Sequence, residues 1–324
     1  MSAEGPPHPG LPEVEAACKR IEGVVRPTRV VPSAGLTDLT GVPVWLKLEC
    51  EQETGSFKLR GAANTLLLLD EAERRRGVVA VSSGNHGRAI AYVAQKLGVA
   101  ATICLSSRVP EVKVDAIAAL EANVVVAGGG QDDADAAARR LVEEQGLVFI
   151  HPFDDPRVIA GQGTIGVEMA AELPGARTFV VPLSGGGLIA GIAAAAKALV
   201  PGCRVTGVSQ DRGPAMYDSL AAGRLVGVVE EDTLADALAG GLGAENNHSF
   251  EMCRELVDEA VLVTEDEIAA GMRHLHDEED LTVEGGGAVG VAALLAGRIS
   301  PADETVVVVS GGNVAPETLQ SVLA

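Results

Sequence analysis

Residues 178–199 read TFVVPLSGGGLIAGIAAAAKAL. Thr178–Pro182 is a short β-rich run without polar alternation, the pattern of a strand buried on both faces. Ser184-Gly185-Gly186-Gly187-Leu188 follows, and an alanine-rich helical segment, Leu188–Leu199, closes the stretch. Strand, tight loop and helix in this order make one unit of a parallel α/β sheet. Consecutive glycines at a helix start let backbone amides wrap an anion. The loop lacks the G-x-G-x-x-G spacing of dinucleotide sites, and Val208-Ser209 stands where an acidic residue would end the next strand. No Gly-Lys-Ser/Thr follows, which excludes a Walker loop, so the segment reads as a cradle for one phosphate. The apolar run Thr178–Val200 approaches membrane-spanning length. Pro182, the glycine triplet and Lys197 interrupt it, and a buried strand, loop and helix account for it better.

The same rhythm extends outward. Candidate strands are Val44–Leu48, Val78–Ser82, Ala101–Leu105, Val124–Ala127, Thr178–Pro182, Arg204–Val208, Ala260–Val263 and Thr305–Ser310. Candidate helices are Arg60–Arg75, Gly87–Leu97, Pro110–Leu120, Asp132–Gln145, Ile159–Leu173, Leu188–Leu199, Glu265–Glu279 and Ala288–Ala296. This alternation predicts a doubly wound α/β architecture with mostly parallel open sheets flanked by helices. There is no repeat and no low-complexity linker. The proline-rich first dozen residues are expected to form a loose tail.

Composition narrows the function classes. The chain has 324 residues, enough for two packed lobes or one large domain, and 47% of them are hydrophobic but only 2% aromatic. The core is therefore aliphatic. The formal net charge of −20 disfavours nucleic acid and anionic membrane surfaces as partners. Cys18, Cys50, Cys104, Cys203 and Cys253 are odd in number and lack metal or redox spacing, so they are expected to be reduced core residues of a cytoplasmic protein. The opening MSAEGPPHPG has neither the basic start nor the apolar run of a signal peptide.

Three further segments carry chemical content. In Thr54-Gly55-Ser56-Phe57-Lys58-Leu59-Arg60-Gly61, a lysine lies between a Gly-Ser turn and a helix start. The positive potential of a helix N-terminus lowers an amine's pKa and suits a nucleophile or base. Ser82-Ser83-Gly84-Asn85-His86-Gly87 follows a strand and exposes successive amides, a nest for a carboxylate or phosphate. Asn85 can donate to an oxyanion. His86 could serve as a base, although a lone histidine beside a nest is more often structural. Ser310-Gly311-Gly312-Asn313 ends the last strand, where ligands of open α/β sheets bind. Each segment alone reads equally as an ordinary capped loop. Together they supply an amine, a carboxylate nest, a phosphate cradle and a polar group for a ring edge, the parts that pyridoxal phosphate (PLP) requires.

At this point the chain resembles the PLP enzymes of the tryptophan-synthase β fold type, within them the threonine dehydratase and serine racemase group. The matching segments are GSFKLRGA at Gly55–Ala62, SSGNHG at Ser82–Gly87, HPFDDPRVIAGQGT at His151–Thr164, SGGGL at Ser184–Leu188 and SGGN at Ser310–Asn313. They stand in the family's order and cover nearly the whole chain. The resemblance implies a two-lobed PLP fold type II, with residues 1–52 and 154–324 forming a large PLP-binding domain and residues 53–153 a small one. It implies that Lys58 is the Schiff-base lysine, that Phe57 packs beside the cofactor ring and that Asn85 donates to its 3′-oxygen. Gly185, Gly186, Gly187 and Leu188 would hold the phosphate, Ser310 would face the pyridine nitrogen, and Glu284 would lie near the ring. Ser83 occupies the position that faces the opposite side of the substrate α-carbon in serine racemases. The nest of Ser83, Gly84, Asn85 and His86 would hold the substrate carboxylate.

The chemistry implied is elimination of water and then ammonia from a small β-hydroxy amino acid, with the freed Lys58 taking the α-proton. A neutral hydroxyl at Ser310 leaves the ring less electron-withdrawing than a carboxylate would, which favours loss of a β-substituent over transamination. His86 after Asn85 separates the chain from the β-replacement relatives, which typically read SGNTG. Aligned on Tyr217, the acidic ligands of the group's divalent-metal site fall at Ser209 and Ala215, with Gly213 between them, so no metal site is expected. The family's Ala-Asp-Gly reads Ala235-Asp236-Ala237. Val208–Leu220, Thr233–Gly243 and Val283–Gly290 resemble a narrower branch, the dehydratases of hydroxyectoine utilisation. The chain ends soon after Asn313, so the C-terminal regulatory domain of biosynthetic threonine dehydratases is not expected. A homodimer is implied by the family alone. Two alternatives stand beside the lyase: an amino-acid racemase using Lys58 and Ser83 on opposite faces, and a catalytically silent ligand-binding protein.

Overall fold

The computed structural model describes residues 8–82, 84–107, 109, 111–243 and 246–324. Its centre is β10 (Thr305–Val309), whose residues Val306, Val307, Val308 and Val309 are all buried. Such a β-branched run with no polar face fits only a strand covered on both sides. It pairs in parallel with β2 (Val44–Leu48) on one side and β7 (Thr178–Pro182) on the other. The sheet continues through β8 (Arg204–Gln210) to β9 (Glu259–Val263), and β1 (Val30–Pro32) closes the opposite edge antiparallel to β2. Pro32 fits there because an edge strand needs no outward N–H. The second sheet is wholly parallel, in the order β5 (Asn123–Val126), β4 (Ala101–Leu105), β3 (Val78–Val81), β6 (Val148–Phe149). Helices flank both sheets, giving an α/β architecture of mostly parallel open sheets, as expected.

Both sheets follow one plan. The chain runs outward from β7 to β8 and β9, then returns to set β10 on the other side of β7. It likewise runs outward from β3 to β4 and β5, then returns to set β6 on the other side of β3. Each return creates a crevice at the carboxyl ends of two neighbouring strands, where open α/β sheets hold ligands. The loops there are Ser184–Gly186 after β7, Ser310–Asn313 after β10 and His151–Asp155 after β6, with Ser82 and Gly84 at the end of β3.

The central strands lie where periodicity puts them, but several boundaries and elements differ. The expected helix Arg60–Arg75 is two helices, Lys58–Leu67 and Glu71–Arg76. Asp70 stops the first from continuing: its carboxylate accepts from the Glu73 N–H at 2.8 Å while Glu73 accepts from the Asp70 N–H, a capping box that starts a new helix. Strands β1 and β6 are too short to show a period. The tail is not loose up to residue 12: Pro9 is buried and a helix begins at Leu11. Cys104, Cys203 and Cys253 are buried as expected, but Cys18 and Cys50 are only half-buried. Among the described residues no helix is long and apolar enough to cross a membrane.

The two sheets meet through the Lys58–Leu67 helix, and a buried ionic cluster docks it. Arg60 is 1% exposed, and Glu49 and Lys47 are fully buried. The Arg60 guanidinium donates to both carboxylate oxygens of Glu49, at 2.8 and 2.7 Å, and to both of Glu168, at 2.6 and 2.8 Å. Lys47 Nζ lies 2.7 Å from Glu168 and donates to the Thr28 carbonyl at 2.8 Å. Burial pushes the Glu49 carboxyl up, but the charge and hydrogen bonds of Arg60 outweigh it and hold the group below its ordinary range. Removing one partner from such a cluster leaves an uncompensated buried charge, which costs ~3–5 kcal/mol. Arg60→Met should therefore lower the unfolding free energy in urea by about that amount. Adding Glu49→Gln to the same chain should recover part of the loss, because the orphaned carboxylate is then neutral.

Candidate active site

Lys58 is the first residue of its helix, one position after the N-cap Phe57. Its Nζ donates to the Pro152 carbonyl at 2.7 Å and stands 5.2 Å from the centre of the Phe57 ring. The acceptor is neutral, so no adjacent carboxylate holds the proton in place. Burial brings the amine down to about 8, with the more distant Glu284 opposing the shift. The residue as a whole is half-buried. The backbone ties this lysine to the end of β10: Phe57 N donates to Ser310 O at 3.0 Å, Gly312 N donates to Gly55 O at 2.9 Å, and Ser56 bridges Gly311.

Pro152 leads into Phe153, which supports the glycine loop. A methyl group on Gly185 would come within 2.3 Å of the Phe153 ring. Gly186 is the N-cap of the Gly187–Leu199 helix at φ 87°, a conformation that a side chain resists. The loop therefore presents bare backbone and the first amides of a buried helix, a donor set that matches a phosphate in charge and shape. Asp154 holds the far side, accepting from the N–H groups of Asn247, His248 and Ser249 at 2.7–2.9 Å. Lys58 and the glycine loop are thus joined through two consecutive residues, Pro152 and Phe153.

Ser310 is buried at the carboxyl end of β10, with one long hydrogen bond, 3.4 Å, to the Gly286 carbonyl. Its hydroxyl is neutral and can turn toward a ring nitrogen. Glu284 caps the Gly285–Leu295 helix, donates through its N–H to Gly311 O, and accepts from Asn85 Nδ2 at 2.6 Å. Asn85 opens the Asn85–Leu97 helix, so the nest expected there coincides with a helix N-terminus. Gly84 is its exposed N-cap, and Ser83 lies outside the described residues.

His86 has the structural place expected of a lone histidine beside a nest. Its ring is 3% exposed and shares a 3.0 Å hydrogen bond with the Ile150 carbonyl. Burial, with the Lys58 charge adding to it, lowers its pKa to about 3. The imidazole is a neutral strut inside the smaller sheet's layer and is no base; only the backbone N–H of His86 remains for a ligand. At the positions aligned with a metal site, Ser209 Oγ bonds to Gln210 at 3.1 Å and Ala215 is buried in a helix. Among the described residues no cluster of three His, Cys, Asp or Glu could hold a metal.

The arrangement thus brings Lys58, Phe57, Asn85, Glu284, Ser310 and the loop Gly185–Leu188 to the facing crevices of both sheets. An amine, phosphate-shaped backbone, a neutral hydroxyl and an amide donor fit PLP in kind and number. The residues that sequence reasoning left without a role are Pro152, Phe153, Arg88 and Asn313. Pro152 acts through a backbone carbonyl and Phe153 through packing, neither of which leaves a composition signal.

A depressed amine pKa is also a stability statement. Between pH 8 and the ordinary lysine value of 10.5, the unfolded chain holds a proton that the folded chain lacks. Stability of the cofactor-free protein should therefore rise with pH across that window. Lys58→Met should raise its Tm at pH 7, and the gain should shrink as the pH approaches 10.5. Differential scanning fluorimetry of both proteins against pH measures this.

Comparison with known proteins agrees with the geometry. The profile of the family described as "Pyridoxal-phosphate dependent enzyme" matches residues 21–311. A Sinorhizobium fredii protein, provisionally named a threonine dehydratase, is 52% identical over 305 residues, which span 94% of this chain and 92% of that one. The L-threonine ammonia-lyase of Thermotoga maritima is 42% identical over 94% of this chain and 75% of its own. The structure of maize serine racemase superposes with a TM-score of 0.92 at 32% identity, covering 97% of each chain. With its amine, glycine loop and polar side chains gathered in one cleft and the family profile running through all of them, the chain belongs to the pyridoxal-phosphate dependent enzymes.

Proposed function

We propose that this enzyme is an ammonia-lyase that removes water and then ammonia from a small β-hydroxy amino acid, L-threonine or L-serine, to give a 2-oxo acid. The observation that carries the reading is the Lys58 amine, buried to a pKa of about 8 and held by the neutral Pro152 carbonyl. Such an amine is free to react near neutral pH. The names of the relatives support the substrate class: the T. maritima protein is an L-threonine ammonia-lyase.

When bound, PLP supplies an electron sink conjugated to the substrate amine, which acidifies the α-carbon. The protein's own groups do the rest. Lys58 Nζ takes the α-proton, and Pro152 O keeps the amine aimed into the cleft. The amides at Gly185–Leu188 would hold the phosphate, and Ser310 Oγ would face the pyridine nitrogen without adding charge to it. Asn85 Nδ2 would donate to the ring oxygen, with Glu284 beside it. The nest expected at Ser83–His86 would hold the substrate carboxylate. Loss of the β-hydroxyl as water, followed by hydrolysis, releases the 2-oxo acid and ammonia.

The same reading has finer parts. The larger lobe comprises residues 1–52 and 154–324 and the smaller lobe 53–153; every strand of the four-stranded sheet falls within the latter range. The enzyme is a cytoplasmic homodimer, which light scattering of the purified protein checks for assembly. Its physiological substrate is an ectoine-derived hydroxy amino acid if the narrower hydroxyectoine branch applies.

The test is release of 2-oxo acid and ammonia by PLP-loaded enzyme with L-threonine, L-serine, their D-isomers, erythro-3-hydroxyaspartate and an ectoine-derived hydroxy amino acid. Turnover of threonine or serine is expected. Lys58→Ala should lower kcat by at least ~10³-fold, since it removes the amine that acts as both nucleophile and base. Turnover of the ectoine-derived compound alone keeps the chemistry and moves the physiology. Formation of a D-isomer with the amino group retained would replace the lyase with a racemase.

A further inference from the structure

Four polar side chains and one carbonyl cross the cleft in an unbroken line. Arg88 Nη1 donates to Asn313 Oδ1 at 2.6 Å. Asn313 Nδ2 donates to Thr54 O at 2.8 Å and to Asn85 Oδ1 at 2.6 Å. Asn85 Nδ2 donates to Glu284 Oε1 at 2.6 Å. Arg88 and Asn85 lie on the helix that follows β3 of the smaller sheet, and Asn313 follows β10 of the larger one. Thr54 precedes the lysine segment. All four side chains are buried or half-buried.

The direction of this line is fixed by its ends. A guanidinium can only donate, and a backbone carbonyl can only accept. Asn313 meets both, so its oxygen must face Arg88 and its nitrogen must face Thr54. Its second N–H then reaches Asn85, which forces the Asn85 oxygen toward Asn313 and the Asn85 nitrogen away from it. Reversing either amide would set donor against donor or oxygen against oxygen, at 2.6–2.8 Å. The local backbone makes room for the hub: Gly55 stands at φ 76°, and a methyl group there would lie 2.4 Å from Asn313 Oδ1.

We propose that Arg88 and Asn313 are positioning residues, a donor–acceptor relay that holds the Asn85 oxygen from the side opposite Glu284 and so keeps the second Asn85 N–H aimed at the cofactor. The inference rests on the proposed place of Asn85 beside the ring oxygen. Asn85 Nδ2 carries two hydrogens; Glu284 takes one, and the relay leaves the other as a donor for that oxygen. Without the relay the Asn85 amide is held on one side only, by Glu284 Oε1, and its second N–H is no longer aimed at the ring oxygen. A merely structural link between the lobes would set stability and cofactor retention but not the electronic state of the bound ring.

The test reads the absorption maximum of the bound cofactor, and the midpoint of its pH titration, in PLP-loaded enzyme. PLP stoichiometry and Tm serve as the structural controls. Arg88→Met removes the donor that starts the relay. Asn313→Asp keeps the shape but presents two acceptors, so that an oxygen replaces the donor against Asn85 Oδ1 and pushes the amide from its place. Both should shift the absorption band, and both should raise the titration midpoint by about one pH unit, because a hydrogen bond to the charged form of the ring is lost. Arg88→Lys, which can still donate, should hold the wild-type band. Asn85→Ala is the reference for complete loss of the donor. If Asn85→Ala moves the band while Arg88→Met and Asn313→Asp leave it in place with full PLP, the relay is refuted and the site reading survives. If Asn85→Ala itself changes nothing, the place of Asn85 is wrong and the relay falls with it.

Discussion

The fork of Arg60 between Glu49 and Glu168 is the contact on which the rest of the molecule depends. It lies two residues beyond Lys58 on the same helix, and its partners come from the end of β2 and from the Pro156–Glu172 helix. A helix start has no intrahelical partners for its first amides and frays readily. Here the first turn is held by four charge-assisted hydrogen bonds, the two to Glu49 fully buried and the two to Glu168 partly so. The Lys58 amine inherits that fixed origin. Gln162 accepts from the Gly61 N–H and Asn64 donates to the Arg157 carbonyl, so the same helix is registered along its length against the Pro156–Glu172 helix.

From that origin the site follows by topology. Both sheets turn back on themselves after running outward, and each reversal leaves two loops side by side at strand ends. The loop after β6 closes the distance between them: Pro152 receives the lysine amine and Phe153 fills the space under the glycine loop. Charge is kept sparse around the amine, with a carbonyl for a partner and two histidines nearby that burial holds neutral. That sparseness, more than any ion pair, sets the amine near neutrality, because desolvation acts unopposed except by Glu284.

Much of this was legible in the chain itself. The valine run at 305–309 and the strand, glycine loop and helix at 178–199 carry enough periodicity and backbone chemistry to name the layers and the phosphate cradle. Lys58, Asn85 and Ser310 stood out because each sits at a strand end or a helix start, which sequence marks with small and polar residues. The misreadings have physical causes as well. Arg60–Arg75 kept a helical period across a break that one capping aspartate made, and β6 is too short for a period to exist. His86, by contrast, reads as structural in the sequence, and packing supplies its partner, Ile150 O.

The sequence by itself determined the α/β layers, the amine, the glycine cradle and the neutral hydroxyl, because those depend on local backbone preference and on residue chemistry. The tertiary structure alone decided which of these groups share a cleft, that the lysine's partner is a backbone carbonyl, and that Arg88 meets Asn85 through Asn313. Those contacts join residues separated by 94, 225 and 228 positions. No local periodicity reports on such distances; only the return of each strand to its sheet brings them together.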